Sequence, residues 1–370
     1  MHILKDSVNN TTFRRLFLDC VDHVYAYDPQ YIRHRDEDID RVFDPAQNTL
    51  HKYGGCERWV VIQHQKPVGR IAAFYHHEND KKPFAGIGFF ESIPDEKIAT
   101  LLFKTATDWF KQHHIRHIIG PVNFGDRDGF WGLLISSQST PSFRENYHPP
   151  YYQAFFENYG FEKKFEQITW KINPSHFDHA RFDPIFQRVK SRYQLETRHF
   201  TKKYLKQFAA DFTTIYNKAW ALHPDYRPKN AYLVEKSMKS MLSIAPEELN
   251  IFLYIHQKPV AFSLNILDIN PLIKNGKISW WTKCKFALGR YTLTKLRGVV
   301  FGIVPEYWNK GFEMALIIQL HNALRSSSYR HITEFELSWV GDFNPRMLGM
   351  LSTIGAEVSK THYTYKLDLK

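Results

Sequence analysis

The pentapeptide His-Gln-Lys-Pro-Val occurs twice, at His64–Val68 and at His256–Val260, 192 residues apart in a chain of 370. A Lys-Pro turn between apolar runs is easily reinvented, so this identity alone decides little. Gly160 and Gly355, which close two short helical patterns, lie 195 residues apart, nearly the same offset. Around these landmarks both halves run in one order: helices, a hairpin, a further strand, a long helix, a strand, a short helix and a last strand. Matched landmarks at matched offsets inside a shared order of elements specify a duplicated domain. The expected fold is α+β with two domains, 1–180 and 181–370, each a mixed, mostly antiparallel sheet flanked by helices.

Local patterns fill in this frame. Asn10 or Thr11 is placed to cap a helix whose apolar positions are Phe13, Leu16, Phe17, Cys20, Val21 and Val24. Strands are expected at Arg58–Gln63, Val68–Tyr75 and Ala85–Glu91. Pro94 and Asp95 then start a helix with Ile98, Leu102, Ala106 and Phe110 on one face. Ile115–Ile119 reads as a buried strand. The Gly/Ser/Pro-rich excursion Phe124–Pro150 has no counterpart in the second half; a helix through Phe155 and a strand through Ile168–Ile172 follow it. Asn173–Tyr193 reads as a connector. Beyond it come helices through Leu205–Ala219 and Tyr232–Leu242, and strands at Ile251–His256, Val260–Ile266, Gly298–Val304 and Glu334–Trp339. A short helix through Met347–Ile354 and a strand at His362–Leu369 close the chain.

Composition removes several classes of function. Apolar residues make up 43% and aromatics 16%, enough for sizeable cores. A net charge of +11 would suit a polyanion. Yet Lys and Arg are scattered, with no basic helix stripe and no zinc-finger pattern, so no DNA partner is expected. Cys20, Cys56 and Cys284 are too dispersed for a disulfide framework. The histidines show no ligand spacing such as H-E-x-x-H, so no metal is expected. No G-x-S-x-G, G-x-x-x-x-G-K-[ST] or G-x-G-x-x-G motif occurs. The first residues lack the apolar core of a signal peptide, and no run reaches about 18 apolar residues. A soluble, cytoplasmic protein with no membrane partner is expected.

The run Gly298–Val304 ends at Pro305, passes through Asn309, Lys310 and Gly311, and enters a helical pattern of Phe312, Ala315, Leu316, Leu320 and Ala323. A strand feeding a helix through a Gly-containing loop leaves backbone N–H groups without partners, at the positive end of the helix dipole. Such a place suits an anion such as a pyrophosphate.

The element order, with V-P-x-x-x-x-x-G-x-x-x-A from Val304 to Ala315, resembles the GNAT acyltransferase superfamily. Gly120–Asn123 (G-P-V-N), His148–Tyr152 (H-P-P-Y-Y) and Glu336–Val340 (E-L-S-W-V) are similar to a bacterial tandem subgroup with two fused copies. The resemblance implies that acetyl-CoA or another acyl-CoA is a substrate. Its pantetheine would lie along the strand through Ile303 and Val304, and its pyrophosphate on Asn309, Lys310, Gly311 and Phe312. Asn344 is where the superfamily often contacts the cofactor. The phosphate loop departs from the usual pattern: Trp308 stands in the basic position and Glu313 replaces a small residue. Ser92–Lys97 in the first half has no glycine, so that half is not expected to bind CoA in the usual way. Phe156 and Leu351 stand where the superfamily often carries a tyrosine acid.

Transfer to an amine needs a base, a donor for the oxyanion and an acid for the thiolate. Glu91 and Glu336 flank the expected clefts and are candidate bases, and each equally suits a paired strand carboxylate. Tyr147, Tyr151 and Tyr152, beside Pro149-Pro150, either wall a substrate pocket between the halves, with Tyr152 a candidate catalytic residue, or form a Pro-stopped loop with Tyr152 in the helix face. Asp342 is either a site residue or a cap for the helix near Asn344. Tyr226 and Arg227 are either acceptor contacts or part of a turn. The leading function is acyl transfer, most simply acetyl transfer, from acyl-CoA to an amine on a small molecule, amino acid or peptide. The alternatives are a non-catalytic ligand-binding protein and an aminoacyltransferase that uses aminoacyl-tRNA.

Overall fold

The computed structural model describes residues 1–6, 10–77, 84–125, 127, 129–221, 228–289 and 292–370. Tyr226 and Arg227 lie outside the described residues.

The first half contains β1 (His2–Lys5), α1 (Thr11–Val24), α2 (Asp36–Phe43), β2 (Gly54–Gln63), β3 (Lys66–His76), β4 (Phe84–Ser92), α3 (Glu96–Gln112), β5 (His117–Gly120), β6 (Leu133–Ser137), α4 (Tyr151–Tyr159) and β7 (Glu162–Ile172). The second contains α5 (His179–Tyr193), β8 (Glu196–His199), α6 (Leu205–Ala219), α7 (Ala231–Met241), β9 (Ile251–Ile255), β10 (Lys258–Leu267), α8 (Trp280–Ala287), β11 (Lys295–Ile303), α9 (Phe312–Leu324), β12 (Glu334–Glu336), β13 (Val340–Gly341), α10 (Pro345–Thr353) and β14 (Glu357–Asp368). The fold is α+β, a mixed sheet flanked by helices in each half.

The repeat persists at the level of backbone torsions. In the hairpin β2–β3 the turn residues His64 and Gln65 have φ of 49° and 63°; in β9–β10, His256 and Gln257 have 46° and 65°. Two consecutive positive φ values match the right-handed twist of a two-residue hairpin. Both copies thus hold the same non-glycine pair in the same unfavourable region. Gly160 (φ 103°) and Gly355 (φ 80°) also share the left-handed conformation behind α4 and α10.

One sheet runs through both halves in the order β1-β2-β3-β4-β5-β14-β7-β12-β11-β10-β9-β8. The two last strands have changed places. β14, from the end of the chain, pairs with β5 through Tyr365↔Gly120 to Asp368↔His117. β7 pairs with β12 and β13 of the second half, as at Phe335↔Ile172 and Val340↔Ile168. β7 and β14 then pair with each other from Glu357↔Lys171 to Lys366↔Glu162. A division at 180/181 follows element order along the chain; in space the last strand of each half completes the other half's sheet.

Apolar side chains of β2–β5 pack under α3 and α4, around Phe90, Phe103 and Phe156. The opposite face packs under α1 and α2, around Phe13, Phe17 and Phe74. A second core lies around α5, α6 and α9. A smaller cluster of Phe143, Ile266, Ile269, Leu272, Ile273 and Leu293 joins the halves.

Some local expectations need correction. Most of Asn173–Tyr193 is the helix α5, capped by Asp178 accepting from the Arg181 N–H, with Phe182, Phe186 and Val189 buried. Pro184 inside it disguised the helical spacing. The excursion Phe124–Pro150 holds the strand β6, and the run Glu334–Trp339 is broken because Leu337 donates its N–H to Trp170 of β7 (2.8 Å).

Candidate functional site

β11 and β12 run parallel and pair only from Lys295↔Glu334 to Arg297↔Glu336. Gly298 is the pivot at which they separate. A Cβ there would stand 3.3 Å from the Ser338 nitrogen, and the Ser338 hydroxyl donates to the Gly298 carbonyl (2.8 Å). β12 then turns towards β7. β11 continues with β10 on one side and, among the described residues, no strand on the other. At this pivot Leu264 faces Val300 while Asn265 faces Gly298, so Val299 is the extra residue of a β-bulge. The result is a gap inside the sheet, bounded by a strand edge whose backbone groups want partners. One is taken locally: the Trp308 indole N–H donates to the Ile303 carbonyl (2.9 Å).

Ile303 and Val304 are buried at the end of that edge, and Val304 donates its N–H to Val260 (3.0 Å). Asn309 (φ 60°) and Gly311 (φ 85°) turn the chain into α9. Gly311 is required twice over. Its φ is left-handed, and a Cβ would meet Val189 and Ile185 of α5 at 3.0 and 3.1 Å. Phe312 is fully buried against Tyr307 and Tyr193, so its side chain packs while its backbone opens the helix. Lys310 bends back, donating to the Glu306 carbonyl (2.5 Å) above the Tyr307 ring. Asn344 caps α10, accepting from the Met347 N–H (3.2 Å). Two residues later Arg346 pairs with Glu313, the carboxylate that stands where a small residue is usual. That ion pair ties the first turns of α9 and α10 together and neutralises the Glu313 carboxylate at the start of α9.

The corresponding place in the first half is filled. β4 and β5 pair at Gly86↔Ile119, and β4 carries its own bulge, with Phe89 at φ 51°. Val122 donates to Ile87 (2.8 Å), and its carbonyl oxygen lies 2.0 Å from where a Gly88 Cβ would be. Phe130 packs on Phe89 with ring centroids 5.2 Å apart, and Phe124 stacks on Phe74. At the start of α3 the Asp95 carboxylate already accepts from the Lys97 N–H (2.9 Å).

Tyr152 and Glu336 belong to two separate buried networks. The Tyr152 hydroxyl donates to Glu91 (2.9 Å) and accepts the Ser92 N–H (2.7 Å). Glu91 also accepts from Tyr25 (2.7 Å) and Arg70 (3.4 Å); burial raises its pKa above the usual carboxylate range. Glu336, on β12, accepts from Ser142 (2.5 Å) and Lys360 (2.5 Å) and pairs with Lys295 (3.0 Å). Lys360 also holds Glu145 (2.6 Å). Burial alone would raise the Glu145 pKa, but Lys360, His362 and Arg297 outweigh it and bring it down to about 2. Three imidazoles line the same seam. Burial lowers His34 to about 4, with Arg70 adding to the effect, and it lowers the pKa values of His148 and His362 as well. A substrate ammonium could reach Glu336 only by displacing a lysine.

Asp342 donates its N–H to Glu166 (3.1 Å), and Asn344, not Asp342, is the cap of α10. Tyr147 donates to Asp28 (2.7 Å) and Tyr151 to the Ser92 carbonyl (2.9 Å), so both hold the excursion in place. Sequence reasoning missed Arg346, Lys295, Lys360 and Glu145. Each gains its meaning from a partner at least 24 residues away, and no local spacing marks them. Among the described residues no group of three His, Cys, Asp or Glu side chains could hold a metal, and no helix is long and apolar enough to cross a membrane.

No protein-family model matches the chain. It is 25% identical to Protein YghO of Escherichia coli over 324 residues, covering 85% of this chain and 82% of that one. It is 21% identical to the bacterial ceramide synthase of Caulobacter vibrioides over 358 residues, covering 93% and 92%. Among solved structures, a glucosamine N-acetyltransferase region of a fungal multi-domain β-N-acetylglucosaminidase superposes with a TM-score of 0.58 at 13% identity; 99% of this chain covers 38% of that one. A tandem GNAT protein from the clavulanic acid biosynthesis pathway superposes with a TM-score of 0.57 at 11% identity, over 99% of this chain and 98% of that one. With an equivalent bulged pair in each half, β3–β4 and β10–β11, in one continuous sheet, and a full-length tandem counterpart, this chain is a tandem GNAT-fold protein.

Proposed function

We propose that the protein transfers an acyl group from acyl-CoA to an amine, with the thioester bound in the second half. The observation that carries this reading is the bare edge of β11 from Val299 to Ile303, which ends at a helix N-terminus. The pantetheine amides would pair with that edge as a neighbouring strand does. The pyrophosphate would sit on the first turn of α9, with Asn309, Lys310, Gly311 and Phe312 supplying backbone and Arg346 a nearby cation. In the reaction the amine nitrogen attacks the thioester carbonyl and the C–S bond breaks. The proton lost by the amine balances the thiolate, which leaves as CoA thiol. Glu336 and Tyr152 serve as parts of the seam, since their oxygens are already bonded on every side that the structure describes.

The acceptor side supports a long-chain amine. Val299 packs against the junction cluster of Phe143, Ile266, Ile269, Leu272, Ile273 and Leu293. The Caulobacter relative is a ceramide synthase by name, and a ceramide is the amide of a long-chain amino alcohol. One observation favours the second reading, a binding protein without catalysis: neither candidate catalytic side chain is free. Calorimetry with acetyl-CoA and palmitoyl-CoA, followed by thiol release in the presence of long-chain amines, decides between them. Micromolar binding, thiol release and loss of both in Gly311→Trp are expected. No binding at millimolar ligand would overturn the proposal, and binding without thiol release across the amines would favour the non-catalytic reading.

A further inference from the structure

Helix α8 has no buried residue. Trp280 is 66% exposed, Trp281 70% and Leu288, just past its end, 67%. Single exposed apolar residues are ordinary, but two tryptophans on one short helix with a leucine at its C-cap form a patch that calls for a partner. The charge carried by the segment itself is one-sided, although Asp36 of α2 lies against Gly276. No carboxylate occurs in the sequence between Asp268 and Glu306. Lys274, Lys277, Lys283 and Lys285 are all exposed, and among the described residues none of them makes an ion pair.

We infer that α8 and the turn before it are a docking face for an anionic lipid bilayer. Tryptophan is at home in the interfacial layer, where its ring is buried among acyl chains and headgroups. Lysines flanking it are drawn to the negative surface potential. A second copy of this chain is a poor occupant, because a two-fold contact would bring the lysines of both copies together.

The segment is fixed in place. Ser279 caps α8, accepting from the Thr282 N–H (3.1 Å). The Gly276 carbonyl accepts from the Asp36 N–H of α2 (3.0 Å), and a Cβ on Gly276 would stand 2.6 Å from the Asp36 carboxylate. Ile278 and Phe286 pack against the junction cluster that Val299, the bulged residue of β11, also touches. The face therefore adjoins the acceptor side of the cleft, and a lipid amine would pass from the bilayer to the thioester without crossing water. Docking itself stands apart from the acyl-transfer reading, because vesicle binding requires neither thioester nor amine.

The test is sedimentation of the full-length protein with phosphatidylcholine vesicles, with and without phosphatidylglycerol. Wild type is expected to pellet with the anionic vesicles, less so as salt rises, with a blue shift of tryptophan emission. Each lysine near an anionic surface strengthens partition roughly fivefold, so Lys283→Gln/Lys285→Gln should weaken it roughly 25-fold. Trp280→Ser/Trp281→Ser should lose binding while keeping the wild-type melting curve and acyl-CoA affinity. Those two controls separate failure of docking from failure of the cleft. The inference is overturned if wild type stays in the supernatant with anionic vesicles, or if the tryptophan variant pellets as wild type does. A lipid-free dimer that the tryptophan variant turns into a monomer would overturn it too.

Discussion

Lys360→Met tests the buried seam most directly. Lys360 sits on β14 at 2% exposure, its ammonium 2.5 Å from Glu336 and 2.6 Å from Glu145. Glu336 has a second cation in Lys295 at 3.0 Å. Among the described residues Glu145 has no other ion pair, only the Ser142 N–H at 2.8 Å. Methionine fills similar volume without charge, so the change removes the ammonium with little loss of packing. Breaking a buried pair from one side costs about 3–5 kcal/mol, because the remaining charge keeps its desolvation penalty. Lys360 is the largest of the charges that hold the Glu145 pKa below the usual carboxylate range, so the loss falls on that carboxylate. Against a total stability of about 5–15 kcal/mol the loss is severe.

The pH dependence follows from the direction of that shift. Glu145 is depressed in the folded state, so its contribution is complete above the unfolded carboxylate pKa and disappears as pH falls through that value towards 2. In Lys360→Met the orphaned carboxylate is relieved by protonation, so the deficit relative to wild type shrinks on acidification. Urea unfolding followed by tryptophan fluorescence should show a loss of about 3–5 kcal/mol at pH 7 and a smaller one at pH 4. Glu145→Gln/Lys360→Met should be more stable than Lys360→Met alone, because it removes the stranded charge. A loss below about 1 kcal/mol at pH 7, or a deficit that grows as pH falls, would refute the reasoning.

Two other predictions rest on separate contacts. Arg346→Ala leaves Glu313 as a bare carboxylate at the anion site, so acyl-CoA affinity by calorimetry should fall roughly tenfold and largely return in Arg346→Ala/Glu313→Gln; unchanged affinity would place the phosphates elsewhere. Ending the chain after Ala356 removes β14 and uncovers the edges of β5 and β7, so no soluble, cooperatively unfolding monomer should form. A folded, soluble first half in that truncation would show that the strand exchange is dispensable.

The repeat was legible because turn chemistry is local. His-Gln-Lys-Pro encodes a hairpin in each half, and Gly160 and Gly355 each supply a left-handed residue behind a short helix. The junction Val304–Ala315 was legible for the same reason, since Gly311 and the helical spacing after it stand close together in the chain. The exchange of β7 and β14 was not. Either strand satisfies the same alternation in either sheet, and only the geometry between halves decides which edge it joins. The Arg346–Glu313 pair was also out of reach. From sequence Glu313 is a repulsive neighbour for a phosphate, and its neutralising partner lies 33 residues away on another helix.

Duplication explains why β3–β4 and β10–β11 carry equivalent bulges, but not why their openings differ. The excursion between β5 and α4 supplies the difference. Its beginning fills the first opening, with Phe130 on Phe89 and Val122 held against Ile87. Its end reaches the second half, where Ser142 bonds Glu336, the Phe143 N–H bonds Asp268 (3.0 Å) and the Pro141 carbonyl accepts from Asn270 (2.7 Å). Phe143 then joins the cluster that faces Val299. A single segment thus plugs one cleft and walls the other. The first opening is filled, and the second cleft gains an apolar wall residue, Phe143, that its own half does not encode. The first half therefore helps to wall the candidate cleft of the second, while its own corresponding opening is closed.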